Sequence, residues 1–243
     1  MCCDQPERVT LGTLYLVPTP LAEGAAGASV PVPVRQRICG IGYFIVEEAK
    51  SARAFLKALE HPQPLASLAI ERLPEEPGDG VLDGLLAPLL GGRDAGLLSE
   101  AGAPAVADPG AALVRRAHHL GIRVAPLVSP SAILLALMAS GLEGQRFAFH
   151  GYLPVDEAAL AKRLKVLEAD SRREHRTEIF IETPYRNDRL LRLIAATCAP
   201  ATVLSVAADL TSPAETIQTR TIAAWRRKPG PIGKRPAVFL LQA

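Results

Sequence analysis

The sequence from Leu97 to Gly110 reads LLSEAGAPAVADPG and separates two kinds of hydrophobic pattern. Before it, Ala95–Leu98 is a short apolar run of the kind that is typical of a buried strand. After it, Ala111–Leu120 has apolar residues on one helical face and ends before Gly121, a common helix C-cap. A second strand is predicted at Ile122–Val128. The order strand, loop, helix, strand predicts a parallel crossover.

The loop inside this crossover is made almost entirely of small side chains, with Glu100 and Asp108 as its charged residues. Glycine and alanine contribute little bulk, so a ligand can lie directly against the backbone. In open α/β sheets, ligands bind outside the carboxyl ends of the strands, which is where this loop lies. Asp108 also precedes Pro109 at the predicted helix start, the place of an N-cap before proline at the first helical position. The loop is interpreted either as a ligand site or as a turn that only lets the helix pack on the sheet.

The composition is that of a globular protein. The chain has 243 residues, of which 49% are hydrophobic and 21% charged, and its net charge is +2. This length accommodates one large or two modest domains. The near-neutral net charge does not by itself indicate a nucleic-acid-binding protein, although local basic patches can still bind nucleic acid. We place a boundary near Pro154, which predicts an N-terminal α/β domain over residues 1–150 and a C-terminal α/β domain over residues 151–243.

Targeting signals and cysteine spacing predict the cellular compartment. The longest apolar segment, Ala132–Gly141, is too short to span a bilayer, and the N-terminal MCCDQPERV has no apolar signal core. Four cysteines, at positions 2, 3, 39 and 198, show neither a metal-binding spacing nor a disulfide framework. The sequence therefore predicts a reduced, soluble, cytoplasmic protein without a metal site or a membrane partner.

Short strands and helical patterns fill the rest of the chain. Strands are predicted at Thr13–Val17, Ile41–Val46, Ala66–Leu73, Phe147–Leu153, Glu178–Glu182, Thr202–Ala208, Glu215–Ile222 and Val238–Gln242. Helices are predicted at Ala49–Leu59, Val81–Leu90, Ile133–Ser140, Glu157–Ser171 and Leu190–Cys198. Val34–Gly40 is interpreted as a helix end or a short turn, and Ser129 as an N-cap followed by Pro130 at the first helical position.

Acidic residues end three of the apolar strands: Glu47 with Glu48, then Glu100, then Glu182. The carboxyl ends of parallel strands face the same side of a sheet, so these carboxylates can surround a cationic or hydroxyl-rich ligand. Each acid can equally hold a loop through hydrogen bonds to backbone amides. Both interpretations remain open from the sequence.

Six segments occur in an order and spacing that resemble a known family. They are LYLVPTP, IVEEAKSARAFL, LLSEAGAPAVADPG, PLVSPSAILLALMASGL, FHGYLP and FIETPYR. Over roughly residues 12–243 the chain resembles the S-adenosylmethionine-dependent methyltransferases of the tetrapyrrole methylase superfamily. The most similar branch is the ribosomal RNA small-subunit cytidine 2′-O-methyltransferases. The resemblance implies two α/β domains with the cofactor in the cleft between them, which is the class III methyltransferase fold, and a homodimer.

The resemblance also implies which residues line the S-adenosylmethionine site, mainly through their backbone. They are Pro18, Gly102, Ala103, Pro104, Val106, Asp108, Ser131, Ala132, Thr183, Pro236 and Ala237. No GxGxxG motif is present, which disfavours a Rossmann-type nucleotide site.

The chain departs from the ribosomal RNA branch mostly on the substrate side. Leu21-Ala22-Glu23 stands where the branch has Gly-Asn, and Glu47-Glu48-Ala49-Lys50 stands where it has Glu-Asp-Thr-Arg. Val128-Ser129-Pro130-Ser131-Ala132 takes the place of Pro-Gly-Pro-Ser-Ala, and Thr183-Pro184-Tyr185-Arg186 that of Ser-Pro-His-Arg. The cofactor-side segments are kept better than the substrate-side ones.

The function that the resemblance implies is methylation of a ribosomal RNA ribose 2′-hydroxyl, with ribosomal RNA or the small ribosomal subunit as partner. The sulfonium methyl of the donor is already activated, so most of the rate comes from proximity and orientation. A ribose hydroxyl also benefits from a base that takes its proton. The candidate bases are Glu100, Glu182 and Glu48.

Three cations are candidates for binding a substrate phosphate or carboxylate: Lys50, Arg53 and Arg186. The first two lie in the first turns of a predicted helix, where cations oppose the helix dipole, so they are either surface residues or placed for a ligand. Two other functions stay open. One is methylation of a tetrapyrrole or another small molecule, and the other is a catalytically inactive sensor that binds S-adenosylmethionine.

Overall fold

A computed structural model describes residues 10–22, 30–128 and 130–243. The chain forms two compact units, Met1–Pro130 and Ser131–Ala243. The division thus lies earlier than the boundary predicted between residues 150 and 151. The reason is that the helix from Ala132 and the strand from Phe147 both pack into the second unit, on its sheet.

The first unit contains a five-stranded sheet in which every strand is parallel to its neighbours, in the order β3-β2-β4-β1-β5. Its strands are β1 (Thr13–Val17), β2 (Tyr43–Val46), β3 (Ala69–Arg72), β4 (Ala95–Leu98) and β5 (Arg123–Pro126). Its helices are α1 (Val32–Cys39), α2 (Ala49–Ala58), α3 (Asp79–Leu90) and α4 (Gly110–His119). The crossover predicted around the loop is confirmed, since β4 and β5 both pair in parallel with β1.

Both faces of this sheet are buried, which explains why its central strands read as continuous apolar runs. Phe44 and Val46 face one hydrophobic cluster, which they share with residues of α1 and α2. Tyr43 and Ile45 face the other, together with Leu86 of α3 and residues of α4. The period-two alternation of strand side chains therefore divides each strand between two cores.

The second unit has a mixed five-stranded sheet in the order β6-β7-β10-β8-β9, in which only β6 and β7 pair in parallel. Its strands are β6 (Phe147–Tyr152), β7 (Thr177–Glu182), β8 (Val203–Ala208), β9 (Thr216–Thr221) and β10 (Ala237–Gln242). Its helices are α5 (Ala132–Ser140), α6 (Glu157–Glu174), α7 (Asn187–Thr197) and α8 (Ile222–Arg227), with a 3₁₀ turn at Pro184–Arg186.

The core of the second unit joins α6, α7 and α8 to one face of the sheet. Phe180 and Phe239 stack within it, with ring centroids 5.8 Å apart. On the sheet, α5 packs against β8, β9 and β10. Thr219 of β9 ties the helix to the sheet, because its hydroxyl donates to the Ser140 carbonyl at 2.8 Å and contacts the Ser205 hydroxyl.

Two helices differ from the sequence-based expectation. Val32–Cys39 is a complete helix rather than a helix end or short turn, and its first turn begins with Val32-Pro33, where proline is tolerated. The six-residue α8 was not predicted; the Thr221 side chain caps it by accepting from the Ala224 amide. Among the described residues, no helix is long and apolar enough to cross a membrane.

Candidate active site

The loop after β4 is held to the chain segment after β1 by a pair of backbone hydrogen bonds. The Thr19 amide donates to the Gly102 carbonyl, and the Gly102 amide donates to the Thr19 carbonyl, both at 3.0 Å. Gly102 has φ +77°, and a Cβ there would lie 3.1 Å from the Leu21 side chain and 3.4 Å from the Pro130 carbonyl oxygen. A side chain at position 102 would therefore press against Leu21, so this glycine is required by the loop itself.

The second half of the loop is organised by the Asp108 carboxylate. Its Oδ1 atom accepts hydrogen bonds from the Ala105 amide at 2.8 Å and from the Gly110 amide at 2.9 Å. Asp108 is not itself the N-cap as predicted; that position is taken by Pro109, and the carboxylate binds the first helical amide from one residue further back. A Cβ on Gly110 would lie 3.0 Å from Oδ1, so only glycine allows this close approach.

Two alanines of the same loop have left-handed backbone conformations. Ala105 has φ +65° and Ala107 has φ +63°. Such a conformation costs a non-glycine residue about 1–2 kcal/mol, and it persists only where the surroundings hold it. Here the Asp108 carboxylate holds Ala105 through its amide. Strain of this kind is concentrated at ligand sites in proteins, which fits the interpretation of the loop as a binding site.

One oxygen of Asp108 remains without a partner. Its Oδ2 atom is buried and accepts no hydrogen bond from any residue that the structure describes. Burial raises the pKa of Asp108, while the two amides lower it. An acceptor in this state can be completed by an ordered water or by a donor on a bound molecule, such as a hydroxyl or an ammonium group.

Carboxylates from two neighbouring strands meet beside this loop. The Glu47 Oε2 atom, after β2, accepts from the Glu100 amide, after β4, at 3.2 Å. The pKa of Glu47 is raised, first by burial and then by the charge of Asp108, and that of Glu100 adds to the rise. The Glu100 side chain is exposed and makes no described hydrogen bond or ion pair. The sequence analysis placed Glu47 among the strand-end acids but not among the candidate bases, and it is the acid whose carboxylate reaches the loop.

Glu48, in contrast, is occupied by its own helix. It is the N-cap of α2, and its side chain accepts from the Lys50 amide at 3.1 Å. Lys50 and Arg53 are exposed on the first two turns of this helix, and neither side chain has an ion-pair partner in the described part of the chain. Their exposure fits both a surface role and the predicted contact with a substrate phosphate, which stays a prediction.

Glu182 lies in the second unit, on a different sheet from the other two candidate bases. The expectation that all three acids end strands of one parallel sheet is therefore wrong. The Oε1 atom of Glu182 accepts from Nη2 and Nε of Arg186, at 2.5 and 2.9 Å, and from the Thr183 amide at 2.6 Å. The carboxylate is buried, with its side chain 3% exposed, and is neutralised by this arginine. Arg186 is thus committed to an internal ion pair.

The structure brings together the three predicted cofactor-lining residues at the end of β7. Ala237 is the register partner of Glu182, and Thr183 directly follows that strand. Pro236 precedes Ala237, and its carbonyl accepts from the Asp209 amide at 3.0 Å. These residues form one end of the second sheet.

The remaining predicted cofactor residues divide between the units. Ser131 is the N-cap of α5, with its hydroxyl 3.5 Å from the Leu134 amide, and Ala132 is the first helical residue. The predicted N-cap Ser129 lies outside the described residues. Pro18, Ala103, Pro104 and Val106 belong to the loop region of the first unit, where Pro18 and Pro104 are buried and Val106 is 49% exposed. The described residues contain no group of three or more His, Cys, Asp and Glu side chains able to hold a metal ion.

The chain is similar to several curated proteins and to a solved structure. It is 33% identical over 214 residues to "Ribosomal RNA small subunit methyltransferase I" of Xylella fastidiosa, covering 88% of this chain and 74% of that protein. The proteins of the same name match at 35% over 206 residues in Escherichia coli O157:H7, where 68% of the relative is covered, and at 34% over 181 residues in Pseudomonas aeruginosa, where 59% is covered.

The fold is also found in a solved structure, the methyltransferase CobJ. The TM-score is 0.62 at 18% sequence identity, and the match covers 95% of this chain and 94% of the other. No protein-family model matches the chain. The prediction of two α/β domains is confirmed by the two sheets and by this likeness in fold. On the identity and coverage of its relatives, the chain belongs to the family of ribosomal RNA small subunit methyltransferase I, and it is a methyltransferase.

Proposed function

We propose that this chain transfers a methyl group from S-adenosylmethionine to a ribose 2′-hydroxyl of small-subunit ribosomal RNA. The ribosomal RNA substrate is supported by the names of the relatives, and the 2′-hydroxyl by the resemblance of the six sequence segments. The observation in the structure that carries the proposal is the strained, small-residue loop after β4, with its buried and unpartnered Asp108 oxygen.

The residues of this loop fit a nucleoside-like cofactor. Asp108 Oδ2 is an acceptor for a hydroxyl or ammonium donor, and both groups occur in S-adenosylmethionine. Ala103 and Ala105 have side chains no larger than a methyl group, so the backbone there is accessible to a ligand. When bound, the cofactor supplies a methyl group already activated by the positive sulfonium. The protein then has to bind the cofactor and the substrate, to orient them towards each other and to exclude water.

Glu100 is the strongest of the three candidate bases. It lies at the carboxyl end of a central strand, its side chain is exposed, and its backbone is fixed by Glu47. Glu48 is engaged as a helix cap and Glu182 in an ion pair with Arg186. A general base must be free to accept a proton from the substrate, and of these three carboxylates Glu100 meets that condition.

Cations for the RNA backbone are available on α2. Lys50 and Arg53 are exposed on its first turns, and Glu48 at its N-terminus belongs to the same strand end as Glu47. A phosphate bound to them would sit on the side of the sheet where the loop after β4 lies. We therefore assign Lys50 and Arg53 to the substrate.

The test is methyl transfer to purified small ribosomal subunits, with radiolabelled S-adenosylmethionine and mapping of the modified nucleotide. We expect label in one ribosomal RNA ribose, and we expect Glu100→Gln to lower the rate of labelling by a factor of about 10²–10⁴ without loss of S-adenosylmethionine binding in calorimetry. Cofactor binding without transfer to any RNA would overturn the proposal in favour of the inactive sensor. Transfer only to a tetrapyrrole would overturn it in favour of the small-molecule enzyme.

The homodimer that the resemblance implies is part of this proposal. Light scattering after size exclusion tests it, with a mass of twice 25.8 kDa as the expected result. A monomer that methylates ribosomal RNA at full rate would contradict it.

A further inference from the structure

Tyr185 is an exposed aromatic residue paired with a cation. Its side chain follows Pro184 in the turn after β7, and the residue is 79% exposed. The Lys234 ammonium lies 5.1 Å from the centre of its ring. At this exposure one face of the ring remains open to solvent and available for stacking. Large aromatic side chains are more often buried in a core, so this exposure is unusual.

The loop that carries Lys234 is fixed in place by the start of α7. Asn187 is fully buried, and its Nδ2 donates to the Gly233 carbonyl at 3.1 Å and to the Arg235 carbonyl at 2.7 Å. Asp188 Oδ1 accepts from the Ile232 amide at 2.7 Å and from the Gly233 amide at 3.2 Å. Because Asn187 must present its amide hydrogens to two carbonyls, the orientation of its side chain is determined. The backbone on both sides of Lys234 is therefore held to the start of α7, close to Tyr185.

Neighbouring arginines are already engaged, which leaves Lys234 for a ligand. Arg186 binds Glu182, and Arg235 binds Asp209 with Nε to Oδ2 at 2.5 Å. Lys234 is exposed and has no ion-pair partner in residues 130–243 or elsewhere in the described chain. An ammonium that contacts an exposed ring and has no carboxylate partner among the described residues suits a phosphate next to a stacked base.

The location of the pair is close to the predicted cofactor site. Tyr185 follows Thr183 by two residues, and Lys234 precedes Pro236 by two, and both of those residues are predicted to line the cofactor. The charge of the unit agrees with an anionic ligand, since residues 131–243 contain sixteen Lys and Arg against eleven Asp and Glu. In residues 1–130 the corresponding numbers are eleven and fourteen.

We propose that Tyr185 and Lys234 together bind one nucleotide of the RNA substrate. Tyr185 stacks on its base, and Lys234 binds its phosphate. Stacking on aromatic side chains is how proteins hold unpaired RNA bases, and it is tolerant of sequence. The pair therefore selects an unpaired region of the RNA. This inference rests on the proposed RNA methyltransferase function.

The experiment is fluorescence anisotropy with a labelled single-stranded RNA of mixed sequence, using the full chain. Tyr185→Ala is expected to weaken binding by about 5-fold or more, the usual effect of losing one stacked base. Tyr185→Phe should bind as the wild type does, because the ring and not the hydroxyl makes the contact. Lys234→Gln should reduce the dependence of log K on log salt by about 0.7, the value for one phosphate on a single strand.

Matched controls separate the pair from general effects. Tyr152→Ala removes a tyrosine of similar exposure, at 60%, from the same unit, and Lys57→Gln removes an exposed lysine from the first unit. Both are expected to bind RNA normally. S-adenosylmethionine binding, measured by calorimetry, should be retained in Tyr185→Ala and Lys234→Gln, which shows that these variants are folded.

The outcomes distinguish this inference from the proposed function. If the wild type methylates small-subunit RNA while Tyr185→Ala and Lys234→Gln bind RNA like the wild type, the pair has no role in recognition and the function stands. If Tyr152→Ala weakens binding as much as Tyr185→Ala, stacking is not specific to this pair and the inference is refuted. If the wild type neither binds RNA nor methylates it, both the function and the pair are refuted.

Discussion

Replacing Arg186 by methionine tests whether this residue serves the substrate or the fold. The sequence predicts a substrate contact, whereas the structure shows two of its nitrogens on the Glu182 carboxylate. Methionine keeps much of the length of the side chain and removes its charge. The variant therefore leaves a buried carboxylate without its cation.

The expected magnitude follows from the burial of the two partners. The Glu182 side chain is 3% exposed and that of Arg186 27%. Removing one partner of a fully buried pair costs about 3–5 kcal/mol, because the other charge stays buried. The Thr183 amide still donates to Glu182 in the variant. Since that bond and the partial exposure of the arginine both reduce the loss, we expect the free energy of unfolding to fall by about 2–3 kcal/mol.

Urea unfolding followed by tryptophan fluorescence measures this loss. The chain has one tryptophan, Trp225, which is buried in the core of the second unit and so reports on the unit that contains the pair. With m values of about 1–3 kcal/mol per molar, the midpoint should decrease by roughly 0.7–3 M. The double variant Glu182→Gln with Arg186→Met should regain most of the loss, because the neutral amide needs no cation.

Two results would refute this reasoning. One is an Arg186→Met protein with the wild-type midpoint and a raised KM for RNA, which would make Arg186 the substrate contact that the sequence predicts. The other is a double variant no more stable than Arg186→Met, which would show that the loss has another cause than an unpaired Glu182.

Three further variants test the assignments in the first unit. Glu100→Gln should lower kcat by a factor of about 10²–10⁴ if Glu100 is the base, with an unchanged melting temperature; full activity would exclude that role. Glu48→Ala should lower the unfolding free energy by about 1 kcal/mol through loss of the α2 cap, with methyl transfer retained at saturating substrate; a large fall in kcat would instead make Glu48 the base. Burial and neighbouring charge raise the pKa of Glu47 above its ordinary 4.5, so the folded state holds its proton to higher pH than the unfolded state does. Stability should therefore decrease as the pH rises from about 4.5 towards neutral, and Glu47→Gln should show a flatter decrease in a series of thermal melts; an unchanged slope would contradict the cause assigned to the shift.

The strands of the first unit were the easiest part of the fold to predict. The apolar runs Thr13–Val17 and Ala95–Leu98 are β1 and β4 with the predicted bounds, because a strand buried on both faces has a continuous apolar sequence. The helix α1 was harder, since Pro31 and Pro33 flank its start and its sequence has little amphipathic pattern. The short α8 depends on a cap at Thr221 and on burial of Trp225, whose ring nitrogen donates to the Leu204 carbonyl of β8. The sequence alone does not show that contact.

The loop after β4 shows where sequence reasoning ends. Its small residues and its place after a central strand could be predicted as a candidate site. The left-handed alanines and the two amides on Asp108 could not, because an aspartate before Pro-Gly is equally suited to capping a helix. The hydrogen bonds that the Asp108 carboxylate forms depend on the path of the loop. That path is held by the backbone hydrogen bonds between Gly102 and Thr19, which lies outside the loop.

The candidate acids show the same limit on a larger scale. The rule that carboxyl ends of parallel strands meet at one edge holds within a sheet, and Glu182 ends β7, which belongs to the second sheet. Nor can the rule separate Glu47 from Glu48, since adjacent residues at a strand end point in different directions. The start of α2 distinguishes the two acids, because Glu48 caps this helix. Glu47 instead accepts from the Glu100 amide and lies near enough to Asp108 for its charge to raise the pKa of Glu47. Of the two acids at this strand end, the sequence-based prediction chose Glu48 as a candidate base, and the fold uses Glu48 to cap a helix. Its neighbour Glu47 is the acid whose carboxylate lies beside the loop after β4.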